Sequence, residues 1–233
     1  MKVSILDYGV IDKEKTPQEA LLETRCLAQV ADKLGFHRFW VAEHHNIYAF
    51  AISSPELLMM HLADHTKQIR IGSGGIIGLG YTFGIFPYIP KDPITEAKRV
   101  SAHYRKAFRP SKLLKIPKLI LAVFIVLSDT DEKAEALAKP LDIWMLGQQD
   151  FNEFKTYPDV EEARNYHLTE KQREAIAANR SRMVIGSPHT VKKQLDRLIE
   201  ACQADELLAI PLVPEFANRQ RTLELLADLY VTI

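Results

Sequence analysis

The feature that most constrains the fold is the alternation, over the first 75 residues, of short apolar runs with amphipathic stretches. Val3-Ser4-Ile5-Leu6 is an apolar run closed by Asp7-Tyr8-Gly9 and reads as a strand. Thr16-Pro17-Gln18-Glu19 combines an N-cap Thr, a Pro at the first helical position and a Glu three residues after the cap, which starts a helix. Ala20, Leu27, Ala31 and Leu34 recur at helical spacing, and Gly35 stands where a left-handed C-terminal residue belongs, so the helix runs over roughly 17–34. Phe39-Trp40-Val41-Ala42 favours a strand, Ser54-Pro55-Glu56 opens a second helix, and Ile69-Arg70-Ile71-Gly72 is a third strand running into glycines. A β, α, β, α, β order predicts a parallel sheet with crossover helices, whose ligands bind at the carboxyl ends of the strands.

The rhythm continues less regularly. Leu79 to Phe86 reads as a strand, Pro93 to Phe108 as a helix, and Lys118 to Leu127 as a long apolar strand. Asp129-Thr130-Asp131-Glu132 caps a helix toward Gly147, and Gln148 to Val160 reads as a surface loop. A helix over Thr169 to Arg180, another from Gly186-Ser187-Pro188 carrying Val191, Leu195, Leu198 and Cys202, a last strand Glu206 to Leu212 and a last helix Glu215 to Leu229 complete the chain.

At 233 residues one domain over 1–233 can bury one large core, slightly short of the ~250 residues usual for an α/β barrel. With 30 basic against 30 acidic residues, nothing global points to nucleic acid or an acidic membrane. There is no 18-residue apolar run, and MKVSILDYGVIDKEK gains charge too early for a signal peptide, so the expected place is the cytoplasm. Cys26 and Cys202 lack a C-x-x-C spacing and read as buried free thiols.

The residues able to carry chemistry gather at the strand ends. In Glu43-His44-His45 a carboxylate beside two imidazoles could orient a base and move protons, although only alternate members of the trio can face one site. The same residue types suit a metal, but no His-Glu-x-x-His helix is present, and His61 and His65, four apart, read as a solvated helix face. Gly72-Ser73-Gly74-Gly75 would let the backbone approach a planar ring or phosphate, and reads equally well as a strand-end turn. Gly186-Ser187-Pro188 could bind an anion at a helix N-terminus or form a plain cap.

Taken in order, Leu34-Gly35-Phe36-His37-Arg38-Phe39-Trp40-Val41-Ala42-Glu43-His44-His45-Asn46, Ser53-Ser54-Pro55-Glu56 and Ile69-Arg70-Ile71-Gly72-Ser73-Gly74-Gly75 resemble the bacterial luciferase-like, flavin-dependent monooxygenases. Lys118 to Asp131, Gly186 to Asp205 and Glu206 to Leu212 resemble that family's C-terminal barrel strands and the helix between them. The resemblance implies a TIM-barrel-like (β/α)8 fold, usually dimeric, holding reduced FMN at its C-terminal face for oxygen activation or hydride transfer. It makes His44 the catalytic candidate, with Glu43 lining the same pocket or orienting it. It sets Ser73, Gly74 and Gly75 where the backbone passes the flavin ring, and Asp7 and Tyr8 at the first strand's mouth.

The chain also departs from the family. There the Gly-Ser-Gly-Gly strand is followed by roughly a hundred residues of further barrel, including the loop that grips the FMN phosphate. Here Gly75 is followed almost at once by Gly78-Leu79-Gly80-Tyr81, which resembles a much later strand. The expectation is an incomplete barrel of about six strands, with FMN binding weakened or lost and a homodimer or the 148–160 loop covering the open edge. Three functions follow: an FMN-dependent monooxygenase acting on a small organic substrate with flavin reduced by a separate NAD(P)H-dependent reductase; a non-catalytic flavin-binding or regulatory paralogue; or an unrelated barrel hydrolase using Glu43 and His44.

Overall fold

A computed structural model describes residues 1–73, 83–85, 92–110 and 114–231, with backbone alone for 83–85. The predicted rhythm is present. β1 (Lys2–Asp7), β2 (Arg38–Val41) and β3 (Arg70–Ser73) alternate with α1 (Pro17–Lys33) and α2 (Pro55–His65). β4 (Phe83–Ile85), α3 (Pro93–Ala107), β5 (Leu119–Leu127) and α4 (Asp131–Trp144) follow, then α5 (Val160–Asn165) and α6 (Glu170–Arg180). β6 (Met183–Gly186), α7 (Pro188–Cys202), β7 (Glu206–Ile210) and α8 (Phe216–Tyr230) end the chain. The Thr16 hydroxyl and the Glu19 carboxylate form the expected reciprocal capping box of α1.

Among the described residues the strands pair in parallel along the path β3-β2-β1-β7-β5-β4, the six strands expected from the sequence. A seventh, β6, pairs with the upper half of β5 through Phe124↔Met183 to Leu127↔Gly186. It escaped the sequence reading because four residues abutting a Ser-Pro helix start carry too little pattern of their own. The first strand lies beside the last, as at the seam of a TIM-like barrel, and among the described residues no pairing joins β3 to β4.

Side-chain alternation sorts the core into two layers. Val3 and Ile5 of β1, Phe39 and Val41 of β2, alternate residues Leu119 to Leu127 of β5, and Leu207 and Ala209 of β7 pack with α1, α7 and α8. The opposite face of β5, Phe124 and Val126, packs against Ala134, Leu137, Ala138 and Leu141 of α4. Burial on both faces is why β5 is the uninterrupted run LILAVFIVL. Each such side chain taken fully out of water contributes roughly 1.5–3 kcal/mol before entropy is set against it.

Residues 148–160 differ from the surface loop expected. Tyr157 is 0% exposed, its amide donates to the Ile11 carbonyl at 2.8 Å and its hydroxyl to the Leu212 carbonyl at 3.0 Å. The segment is therefore anchored on the ends of β1 and β7, not on β3. Both halves are tied together by Arg219, 1% exposed, which donates to both Asp12 oxygens at 3.1 and 2.8 Å and to Glu23 at 2.8 Å. Cys26 and Cys202 are free thiols, Cys202 buried and Cys26 half-buried.

Candidate functional site

After β1 and β2 the chain forms two loops that lock onto each other. Ala42 N donates to Asp7 O at 2.9 Å, Ala51 N to Gly9 O at 2.8 Å and His44 N to Ile52 O at 3.0 Å. Asn46 supplies the turn with φ 60°, a conformation asparagine tolerates better than most residues. This brings three rings together: His44 lies 4.8 Å from Tyr8 and 4.9 Å from Phe50, and Tyr8 lies 5.2 Å from Phe50 edge-on. Phe50 continues to Trp144 at 5.0 Å, and Trp144 to Phe151 at 4.8 Å and Tyr157 at 6.2 Å.

Within this wall the His44 Nδ1 is buried without a hydrogen-bond partner. Burial, and secondarily the neighbouring His45, lower the imidazole's pKa, so it is held neutral at pH 7. Burial pushes the Tyr8 phenol up to about 12, which keeps it a proton donor. The mouth thus offers a wall of mutually tilted rings with one neutral imidazole and one protonated phenol.

The other predicted residues occupy different places. Glu43 does not orient His44: its carboxylate pairs with His45 Nε2 at 3.0 Å on the exposed side, the two alternate members of the trio sharing a face. Asp7 sits on the Val3 and Ile5 side, where its carboxylate accepts from Thr24 Oγ1 at 2.6 Å and Gly9 N at 3.2 Å. It braces α1 against the strand, and burial raises its pKa against the opposing pull of Thr24 and Arg219. Ser73 is opposite Val41 in register and buried with it on the helix side. Gly74 and Gly75 lie outside the described residues. Gly72 has its own role: a Cβ there would come within 2.8 Å of the Trp40 ring, which lies across it.

The remaining candidates resolve as local structure. His65 Nδ1 lies 2.7 Å from the His61 carbonyl, and among the described residues no group of three His, Cys, Asp or Glu could hold a metal. The start of α7 is already covered by a carboxylate: Ser187 N donates to Asp131 Oδ1 at 2.6 Å and Thr190 Oγ1 to Oδ2 at 3.1 Å. The plain cap is the structure's answer there. Sequence reasoning missed Phe50, Trp144 and Phe151 as wall residues; the aromatic spacing Trp144, Phe151, Phe154, Tyr157 in an otherwise aperiodic stretch was the available signal.

The family profile described as luciferase-like monooxygenase matches residues 1–82, which include Tyr8, His44 and Phe50 but not Trp144. The N-acetyl-S-alkylcysteine monooxygenase of Bacillus subtilis is 47% identical over 77 residues, covering 33% of this chain and 23% of that protein. Over these residues the chain is similar to the luciferase-like monooxygenases. The uncharacterized Bacillus subtilis protein YwcH is 26% identical over 330 aligned positions, covering 99% of each chain. Since this chain has 233 residues, roughly a hundred of those aligned positions have no counterpart here. Among solved structures, the crystal structure of apo-MsnO8 superposes with a TM-score of 0.79 at 21% identity, covering 98% of both chains. The oxygenating constituent of 3,6-diketocamphane monooxygenase from Pseudomonas putida, a complex with FMN, gives 0.53 at 13% identity, covering 98% of this chain and 97% of that one. Both establish the luciferase-like barrel fold. Among the described residues no helix is long and apolar enough to cross a membrane.

Proposed function

We propose that the chain is an FMN-dependent oxidoreductase of the luciferase-like kind, acting with oxygen on a small organic substrate at the mouth formed by Tyr8, His44, Phe50 and Trp144. The observation that carries this reading is the unpartnered, buried Nδ1 of His44 between two aromatic rings. Such a nitrogen fits a planar ligand with a polar rim, because a buried polar atom left without a partner forfeits its hydration. Flavin, when bound, supplies the electrons for oxygen chemistry. His44, held neutral, takes or returns a proton at Nδ1 or Nε2. Tyr8 keeps its phenol proton and can donate a hydrogen bond, while Phe50 and Trp144 exclude water from the inner wall.

The flavin is reduced by a separate NAD(P)H-dependent reductase in the cytoplasm, and the working unit is a homodimer. Support for the dimer comes from Leu57 and Met60, 73% and 74% exposed, with Leu57 on an apolar groove between α1 and α2 that Leu21, Leu22 and Leu58 also line.

A second reading, a non-catalytic flavin-binding or regulatory paralogue, is favoured by the missing hundred or so positions, where the family resemblance sets the phosphate grip. Oxidation of reduced FMN by air, followed with the unaltered chain and with His44→Ala, separates the two. The enzyme reading expects the variant to fold and to lose protein-dependent flavin oxidation by roughly 10²–10⁴-fold, the usual share of a general acid or base. Equal rates with both proteins would favour the non-catalytic reading.

A further inference from the structure

Buried polar atoms in this molecule are generally satisfied, as by Tyr157, whose hydroxyl reaches the Leu212 carbonyl. The indole Nε1 of Trp144 is an exception: it is buried with no partner among the described residues, in a residue 7% exposed. Indole N–H is a donor only, so the missing partner is an acceptor. Trp144 ends α4, 5.0 Å from Phe50, and Phe50 lies 4.9 Å from His44, whose Nδ1 also lacks a partner. Two unpartnered ring nitrogens therefore flank one phenyl ring, from segments a hundred residues apart in the chain. A third, Trp40 Nε1, stands apart across Gly72 on the far strands.

Trp144 is covered by Phe151, at the end of a run in the left-handed region: Gln149 at φ 50°, Asp150 at 54° and Phe151 at 67°. Non-glycine residues visit this region infrequently.

We propose that Trp144 is a ligand-binding residue of the mouth, its Nε1–H donating to a carbonyl oxygen or ring nitrogen on the rim of a planar heteroaromatic ligand of the flavin class. This rests on the flavin reading above and adds the far wall of the pocket to it. The ligand enters by displacing Phe151, and His44 and Trp144 then meet it from either side of Phe50.

The test uses riboflavin, which has no phosphate and so does not depend on a phosphate grip. The chain has two tryptophans, hence two indole N–H resonances in a ¹⁵N-labelled sample, and Trp144→Phe identifies one by removing it. Titration with riboflavin is expected to move the Trp144 resonance downfield more than that of Trp40. Trp144→Phe, which keeps an aromatic ring in place, is expected to weaken riboflavin binding roughly tenfold, the value of one good hydrogen bond. A chain that binds riboflavin with the Trp144 resonance unmoved overturns this inference and leaves the flavin reading standing. No binding of riboflavin or FMN by the unaltered chain overturns both.

Discussion

The inner face of the sheet is built differently over β2–β3 and over β5–β7. On β2 and β3 it carries Arg38, Trp40, Arg70 and Gly72, with the Arg38 guanidinium 5.7 Å from the Trp40 ring centre. On β5 it carries Phe124 and Val126, sealed by α4. The outer faces of both regions are alike, an apolar layer beneath helices. One sheet thus combines an open barrel wall with a strand covered on both sides, and the residue pattern of each strand reports what covers it. The aromatic mouth lies where the two regimes meet, with His44 from one and Trp144 from the other.

The largest expected effect comes from cutting the tie between the two regions. Arg219→Met removes the guanidinium that joins Asp12 and Glu23 of the first region to α8 of the second. Those carboxylates would keep only the Lys15 contact and the Glu215 amide, and losing the guanidinium should cost about 3–5 kcal/mol, read from urea unfolding. A loss below about 1 kcal/mol would mean the regions hold together without it.

The covered region is next. Leu141, fully buried under Phe124 and Val126, should lose about 2–5 kcal/mol on truncation to Ala, whereas Leu57→Ala on exposed α2 should stay within about 0.5 kcal/mol in the monomer. Equal effects in thermal melts would break the claim that α4 forms an inner layer.

A smaller effect separates the neighbouring histidines. Burial lowers the pKa of His44, so the folded chain binds a proton there less readily than the unfolded chain, whose value is about 6.5. Its contribution to stability is therefore full above pH 6.5 and is lost as the pH falls from there through the folded value. His37, lowered mainly by burial and opposed by Glu206, acts in the same direction. His44→Phe should flatten the acid limb of a stability-versus-pH curve without abolishing it; an unchanged limb would remove His44 from this role. The smallest effect belongs to His45→Ala, which opens the exposed pair with Glu43 and should cost at most about 1 kcal/mol. A larger loss on denaturation would mean that this pair supports the loop.

Much of this was legible in advance. The capping box at Thr16 and Glu19, and the apolar continuity of Leu119 to Leu127, state their roles locally, because caps and two-sided burial leave marks within a few residues. The opposite facing of Glu43 and His44 expected from strand alternation is met, though both lie in the loop just past β2, where Glu43 pairs with His45. The same rule, carried one step back, would have set Asp7 on the helix side with Val3 and Ile5; the family resemblance drew it to the mouth instead. β6 and the inner position of α4 were hidden for a different reason. Both depend on pairing or packing with β5, which their own residues do not announce. Trp144 and Phe151 meet the mouth only through that tertiary arrangement, and no local periodicity marks them as wall residues.

The decisive measurement is a parallel titration of the purified chain with FMN and with riboflavin, following flavin fluorescence and absorbance. Saturable binding of both, one flavin per chain, is the expected result. Much tighter binding of FMN would add a surviving phosphate site and favour the enzyme, and equal affinities would favour the non-catalytic paralogue. Failure of both flavins to bind would contradict a flavin mouth at Tyr8, His44 and Trp144.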